Sequence, residues 1–454
     1  MKRGQILEVF IEDTKYPSIG IAKVENKTIE IKNAIVGAKV LVRITKNRKE
    51  KAEGKILEVL QYPEESIEPI CPHSEECGGC SHQRIPYETQ LRQKEREVLK
   101  LFEDAGIKGF KYEGIEKSPL EFEYRNKMEF TFGNLTKGGE MTLGMHQSGK
   151  FYNIIPIEQC KIADNDYNII LRAVSDYCRR KELPFYNKMN HEGYLRYLVI
   201  RKSFRRKELL VNIITTTQME HDFTELADEL LKLELDNTLV GFLHTKNDSL
   251  SDTVKNEGYS VLYGRDYIVE EILGLQFKIS AFSFFQTNSL GAEKLYSVVQ
   301  DYLGDAEGKV VYDLYCGTGT ITQVVSQKAD KIYGIELIEE AIEAAKENVK
   351  LNNIDNIEFI VGDVGEKLKE IEEKPDLIII DPPRPGVGKK ALQQIIDYGV
   401  PQMVYVSCNP KTLVENLKDM IEAGYKVERM KLVDMFPHTA HVECVVLMTN
   451  VKNK

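Results

Sequence analysis

Val310-Val311-Tyr312-Asp313-Leu314-Tyr315-Cys316-Gly317-Thr318-Gly319-Thr320 reads as a buried strand ending in a small-residue loop, ahead of a helix that begins near Ile321. Glycines at 317 and 319 let the backbone approach a ligand, and the helix start turns free N–H groups toward it. A dinucleotide fingerprint would place its third glycine at position 322, which is Thr, so tight packing against a pyrophosphate is disfavoured. Regular strand, loop and helix units follow, the signature of a parallel sheet with helices on both faces.

Each later strand of this half delivers a reactive side chain to the same edge. Lys331–Ile335 stops at Glu336, nineteen residues after Gly317, where a carboxylate can accept from both ribose hydroxyls. Ile357–Val361 stops before Asp363, placed for an adenine amino group. Together they describe a site for a nucleoside without phosphates, and S-adenosylmethionine is the best candidate. Leu377–Ile380 runs into Asp381-Pro382-Pro383-Arg384-Pro385-Gly386, whose prolines forbid helix or central strand and hold Asp381 and Arg384 at the edge. Met403–Val406 delivers Ser407-Cys408-Asn409-Pro410. A cysteine at a strand end ahead of a helix start is expected to have a lowered pKa, which suits a nucleophile.

Outward toward the N-terminus the pattern changes. Gln5–Ile11, Ile19–Val24, Thr28–Ile31, Ala38–Ile44 and Gly54–Leu60 read as five short strands, the dimensions of a small OB-like barrel. Residues 1–60 hold 13 Lys+Arg against 8 Asp+Glu, a balance of +5 within a chain whose net charge is −10. Charge alone leaves an RNA grip and an ordinary solvated surface equally open. Arg43–Lys51 reads as a basic strand and loop on the rim of that barrel. A polar helix from Tyr87 to Ala105 follows, then an α+β region between about 122 and 270, with strands Lys127–Phe132, Leu195–Lys202 and Glu208–Thr215 and helices Asp166–Lys181 and Asp222–Leu231. No apolar stretch approaches the length of a membrane span, so a cytoplasmic protein without membrane contact is expected.

Three of the eight cysteines crowd into Cys71-x5-Cys77-Gly78-Gly79-Cys80, and Cys160 is the natural fourth. In a chain of 454 residues this is no disulfide scaffold. Four thiolates suit a [4Fe–4S] cluster or a structural zinc, and spacing does not separate them. The three-ligand spacing of radical S-adenosylmethionine enzymes is a different one. Cys178, Cys316 and Cys444 have no partner in sequence and read as core thiols.

Asp381-Pro-Pro-Arg-Pro-Gly, Ser407-Cys408-Asn409-Pro410 and the closing Phe436-Pro437-His438-Thr439-Ala440-His441-Val442-Glu443 resemble the RNA uridine-5-methyltransferases, over essentially the whole chain. The resemblance implies a multidomain fold. Residues 1–60 look like a TRAM module, an OB-like RNA-binding barrel. Residues 61–265 would form a central α+β domain with an iron–sulfur site held by Cys71, Cys77, Cys80 and Cys160, and residues 266–454 a class I, Rossmann-like α/β methyltransferase domain.

For the chemistry it implies a Cys408 thiolate that adds to uracil C6, and a Glu443 carboxylate that later removes the C5 proton. A glutamate inside the apolar strand Val442–Met448 must be paired or serve a purpose. Gln286, Tyr315, Thr320, Glu336, Asp363 and Asp381 would line the pocket for cofactor and uracil, with Thr320 a departure because several relatives carry Asn there. Asp381 would hold the target's N3–H, Arg384 would lie beside the substrate, and Phe284 in Phe282-Ser283-Phe284-Phe285-Gln286 would stack on an extruded base.

The expected cofactors are S-adenosylmethionine and a [4Fe–4S] cluster. The expected partner is RNA, ribosomal RNA first and transfer RNA as the alternative, and the expected state is a monomer. Because the chain carries both barrel and cluster, it looks most like the 23S ribosomal RNA branch. Cytosine-5 methylation of RNA and a non-catalytic iron–sulfur RNA-binding protein are the competing readings; Glu443 weighs against the first, although cytosine enzymes also use Cys nucleophiles, and joint presence of Cys408 and Glu443 weighs against the second.

Overall fold

A computed structural model describes residues 1–453. The N-terminal strands are β1 (Ile6–Phe10), β2 (Asp13–Lys15), β3 (Ile19–Val24), β4 (Lys27–Lys32), β5 (Lys39–Asn47) and β6 (Lys51–Gln61). They curl into one sheet of order β1-β5-β6-β4-β3-β2. Alternate residues point inward, and Ile11, Ala22, Ile29, Ile31, Val40, Val42 and Ile44 form its core. The sequence reading has five strands; the sixth is β2, only three residues long, too short to show an alternation. The basic rim is the continuation of β5 through Asn47 and the turn before β6.

Helix α1 (Tyr87–Asp104) and strand β7 (Lys111–Glu116) come next. The central region holds β8 (Lys127–Gly133), β9 (Thr142–Gln147), β10 (Lys150–Pro156), α2 (Asn165–Arg180), β11 (Leu195–Ser203), β12 (Glu208–Thr215), α3 (Thr224–Leu230), β13 (Thr238–Lys246) and β14 (Tyr259–Gly264). Its seven strands form a mixed sheet of order β10-β9-β8-β11-β12-β13-β14, with α2 and α3 packed on one face.

After the hairpin β15 (Tyr267–Ile272) and β16 (Leu275–Ser280) the last part comprises α4 (Ser289–Leu303), β17 (Ala306–Leu314), α5 (Thr320–Val325), β18 (Ala329–Glu336), α6 (Glu339–Leu351), β19 (Ile357–Val361), α7 (Val364–Lys367), β20 (Leu377–Ile380), α8 (Lys389–Asp397), β21 (Gln402–Ser407), α9 (Pro410–Glu422), β22 (Tyr425–Val433) and β23 (Glu443–Asn450). The sheet runs β19-β18-β17-β20-β21-β23-β22-β7. Strands β17 to β21 are parallel, β23 is antiparallel to both neighbours, and β7 adds a parallel edge strand from far upstream. Separate apolar cores cover the two faces. No helix among the described residues is long and apolar enough to cross a membrane.

This topology fixes where chemistry can occur. Strand order reverses between β17 and β20, and at such a switch point the loops leaving the carboxyl ends diverge and open a crevice. Because β23 runs backwards, its first residue lies on the same edge at which β21 ends, with Ser407 paired opposite Cys444. Cys408 and Glu443 are therefore neighbours by register.

Candidate active site

A cleft of about 1810 Å³ opens on that edge. Gln286, Tyr315, Thr320, Glu336, Asp363, Asp381, Arg384, Cys408 and Glu443 all line it, as does Phe284.

One wall is built by the loop after β17. Tyr315, Gly317 and Gly319 have φ of 65°, 55° and 70°. A Cβ at Gly319 would meet the Phe359 ring at 2.7 Å, whereas one at Gly317 would project into open space, where a ligand can approach the backbone. Glu336 at the end of β18 accepts from Gly317 N–H (3.1 Å) and Ile338 N–H (3.0 Å), which locks its carboxylate against the loop. Asp363 leads from β19 into α7 without a side-chain cap bond, leaving its carboxylate exposed toward the cleft. Glu339 and Glu340 also border this wall. Such a concentration of acid repels phosphates and suits a nucleoside carrying positive charge. Thr320 is buried and hydrogen-bonds the Tyr296 hydroxyl.

Thr322, at the position of the missing third glycine, donates to Asp313 Oδ2 at 2.5 Å. Asp313 is fully buried, its Oδ1 has no hydrogen-bond partner among the described residues, and burial pushes its carboxyl up to about 7.

The opposite wall carries Cys408, Asp381 and Glu443. The Asp381–Gly386 loop is tied to α9: Asn409 Nδ2 donates to Arg384 O (3.1 Å), and Asn416 Oδ1 accepts from Val387 N–H (2.9 Å). Gly386 sits at φ +80°, where an added Cβ would meet Asn416 Oδ1 at 2.8 Å. The Asn409 side chain also caps α9 by accepting from Lys411 N–H.

Glu443 is 4% exposed on a central strand, not an edge, and no group among the described residues hydrogen-bonds its carboxyl. Burial, and then Asp381, push it up to about 8. Burial chiefly, with help from Asp313, raises Asp381 to about 7. The expected lowering of the Cys408 pKa is reversed. Burial, followed by Glu443 and Asp381, raises the thiol to about 11, against smaller lowering effects that include Arg384. The start of α9 does not offset lost hydration beside two acids.

The aromatic loop is pinned by the central region. Arg201 Nε donates to Ala281 O (3.1 Å), its guanidinium also bonds Ser283 O, and Asn126 Nδ2 donates to Gln286 O (2.8 Å). Phe285 is buried, while Phe284 is 69% exposed at the mouth of the cleft. An exposed ring held on a fixed loop is free to stack on a base.

Cys71, Cys77, Cys80 and Cys160 are all free thiols, and the Cys80 thiol is raised to about 12 by burial and by Cys160, Cys77 and Cys71 facing it. Among the described residues no three His, Cys, Asp or Glu side chains converge on a point suited to one metal ion. The loop adjoins the cleft, because Gly79 lines it. Ser81 and His82 N–H both donate to His438 O at 3.0 Å. The same segment is held from α1, where Lys94 Nζ lies 2.7 Å from Asp434 Oδ1, both side chains buried, and Gln90 Oε1 accepts from His438 N–H at 2.8 Å. The stretch from Asp434 to Glu443 is thus clamped from two sides.

The family model for tRNA (uracil-5-)-methyltransferases matches residues 86–451, and the TRAM domain model matches residues 1–57. The chain belongs to the uracil-5 RNA methyltransferase family. An uncharacterized RNA methyltransferase of Clostridium tetani is 54% identical over 98% of both chains. Another from Clostridium acetobutylicum is 54% identical over 99% of this chain and 98% of its own. The solved structure of Pyrococcus abyssi tRNA (uracil-54, C5)-methyltransferase with S-adenosyl-L-homocysteine is 25% identical, with a TM-score of 0.77, covering 98% of this chain and all of the other. This family member is accordingly an S-adenosylmethionine-dependent RNA methyltransferase with an N-terminal TRAM domain and a C-terminal methyltransferase fold.

Three residues of the family member's site escape a reading by strand ends. Asp313 carries a detectable signal, an acid inside an apolar strand. His441 lines the cleft with Nδ1 3.4 Å from Arg384 Nη2, and burial lowers it to about 4. Tyr16, from the turn between β2 and β3, packs in the same core as Leu413, Val414 and Val442. Of the three leftover cysteines, Cys178 and Cys444 are core thiols, while Cys316 lines the cleft.

Proposed function

We propose that the protein methylates C5 of a uridine in 23S ribosomal RNA through a covalent adduct to Cys408. The observation that carries this reading is the register of β21 against β23, which sets a thiol beside a buried carboxyl that no group among the described residues hydrogen-bonds. C5 of uracil is too weak a nucleophile to take a methyl group directly, so covalent activation is needed.

S-adenosylmethionine supplies a methyl group on a positively charged sulfur. Glu336 and Asp363 would hold its ribose and adenine, Gln286, Tyr315 and Thr320 its remaining walls, and the acidic border favours its charge. Asp381 accepts the uracil N3–H, Arg384 lies beside the base, and Phe284 stacks on it after extrusion. The half-buried Cys408 thiol gives up its proton to water in the open cleft, leaving Glu443 ionised, and its sulfur bonds to C6. Electron density shifts to C5, which would take the methyl group as the carbon–sulfur bond of the sulfonium breaks and its electron pair stays on sulfur as a neutral thioether leaves. Glu443, ionised, takes the C5 proton; the C5–H electron pair reforms the C5–C6 double bond and the C6–S bond breaks. Buried acids with pKa raised toward neutrality suit a proton acceptor at ordinary pH.

Cys71, Cys77, Cys80 and Cys160 would ligate a [4Fe–4S] cluster. The donor set fits: four free thiols facing one another, with the loop folded against the core of the central sheet. A cube of four irons holds its thiolates farther apart than one ion does, in keeping with the absence of a single-ion site among the described residues.

A second acceptor, uridine 54 of transfer RNA, is favoured by the likeness to the Pyrococcus abyssi enzyme, whose entire length aligns here, barrel included. The barrel taken alone therefore does not separate a ribosomal from a transfer RNA enzyme. Tritium release from RNA labelled at uridine C5 tests both. Cofactor-dependent release from unmodified ribosomal RNA that vanishes in Cys408→Ala supports the first reading. Release from transfer RNA alone supports the second, and methyl incorporation without release overturns methylation at C5.

A further inference from the structure

The edge strand of the central sheet carries a feature that neither its core nor the cleft accounts for. Strand β10 pairs with β9 through Lys150 opposite Gln147, and again through Ile154 opposite His146. One step along β9 thus faces four along β10, so Phe151, Tyr152 and Asn153 bulge out of the ladder. Bulges blunt sheet edges against unwanted pairing, yet they normally do so with charge or proline. This one displays two large rings, Phe151 at 56% and Tyr152 at 59% exposure.

The rings are ordered against each other and against a base. Phe151 and Tyr152 meet edge to face at 5.3 Å, and the His146 ring stacks on Phe151 at 5.0 Å with an interplanar angle of 15°. His146 Nδ1 lies 2.5 Å from Phe151 O, which fixes the bulge backbone. Lysines lie nearby, one of them, Lys188, paired with Asp252 at 2.7 Å. Lys188 Nζ is 5.1 Å from the Phe151 centroid, and Lys150 precedes the pair. Lys55, exposed on β6 of the TRAM barrel, reaches within 3.5 Å of the position a Cβ would take on Gly149. The hairpin is also joined to the cleft: Gly78 N–H donates to His146 O at 3.0 Å, and Gly79 lines the cleft itself.

We propose that Phe151 and Tyr152 form a second base-stacking platform, which holds an unpaired nucleotide of the substrate RNA outside the catalytic cleft while Lys55 and Lys150 meet its phosphates. The proposal rests on the RNA-methylating reading of the cleft. Aromatic faces beside lysines are the chemistry by which single-stranded nucleic acid is held without base-edge readout. A flanking nucleotide fixed there would keep the strand splayed and lower the cost of extruding the uridine.

The test uses the full chain, a short fluorescent oligoadenylate carrying 2-aminopurine, and a fully paired RNA duplex. Stacking on the platform quenches 2-aminopurine on the wild-type protein. Phe151→Ala with Tyr152→Ala should abolish that quenching and weaken oligoadenylate binding roughly fivefold to a hundredfold, with duplex affinity and salt slope unchanged. Phe151→Tyr with Tyr152→Phe should retain both. Both side chains are exposed, so thermal unfolding should be unaltered. Equal loss on the duplex, or unchanged binding and quenching, overturns the platform and leaves edge blunting or a protein contact as its role. Tritium release by the wild-type chain is measured in parallel. If it is present while the double variant behaves as wild type, only the platform fails; if the wild type releases none from any RNA, the methylation reading fails with it.

Discussion

Two cysteine sites border the same cleft, and their company differs. Cys80 and Cys408 are both buried enough that desolvation raises the thiol, to about 12 and about 11. The Cys80 thiol faces other thiols, the company that suits the cluster proposed above. Cys408 faces Glu443 and Asp381, two carboxyls that raise it further. Burial equalises the two; on the reading proposed above, their neighbours decide which site binds and which reacts.

The sharpest break is Cys408→Ala, for which turnover falls to background while S-adenosylmethionine binding, read by calorimetry, is retained. Retained turnover would remove the covalent step. Glu443→Gln should cost about a hundredfold to ten-thousandfold in turnover and accumulate a protein–RNA adduct on a denaturing gel. The same change in a Cys408→Ala background should leave no adduct.

Protonation sharpens the contrast next. Glu443 is raised from its ordinary 4.5 to about 8, and Asp381 and Asp313 from 3.8 to about 7. The folded state therefore holds protons that the unfolded chain releases above pH 4 to 5. The stability so gained is complete below those ordinary values and is lost as pH rises through about 7 to 8. The melting temperature should fall between about pH 5 and 8 and level off above, and fall less in Asp313→Asn or Glu443→Gln. An identical slope in all three proteins would contradict the buried-acid assignment.

The smallest effect belongs to the loop. Cys77→Ser should abolish the broad visible absorbance of anaerobically prepared protein and lower turnover roughly tenfold by loosening the Ser81 and His82 bonds to His438, on the order of 1 kcal/mol each. Adduct formation by Cys408 should persist.

Local sequence carried the site where the fold made it local. Glu336, Asp363, Asp381 and Cys408 are legible because parallel strands deposit every outgoing loop on one edge. The basicity of Cys408 was misread because it depends on residues 381 and 443, which only folding brings near. Strand β2 has three residues and β7 pairs more than three hundred positions downstream, so neither announces itself by periodicity. Tyr16 illustrates the same limit: it contributes to a core built mostly from residues beyond 310.

Strand β7 bears on synthesis at the ribosome. Lys111–Glu116 must wait, through the making of the entire central sheet, for Arg429–Val433 to emerge before it finds its partner. The sheet that β7 borders closes only after residue 433 has been made. A C-terminal fragment expressed alone would expose the outer edge of β22 as a bare template for aggregation.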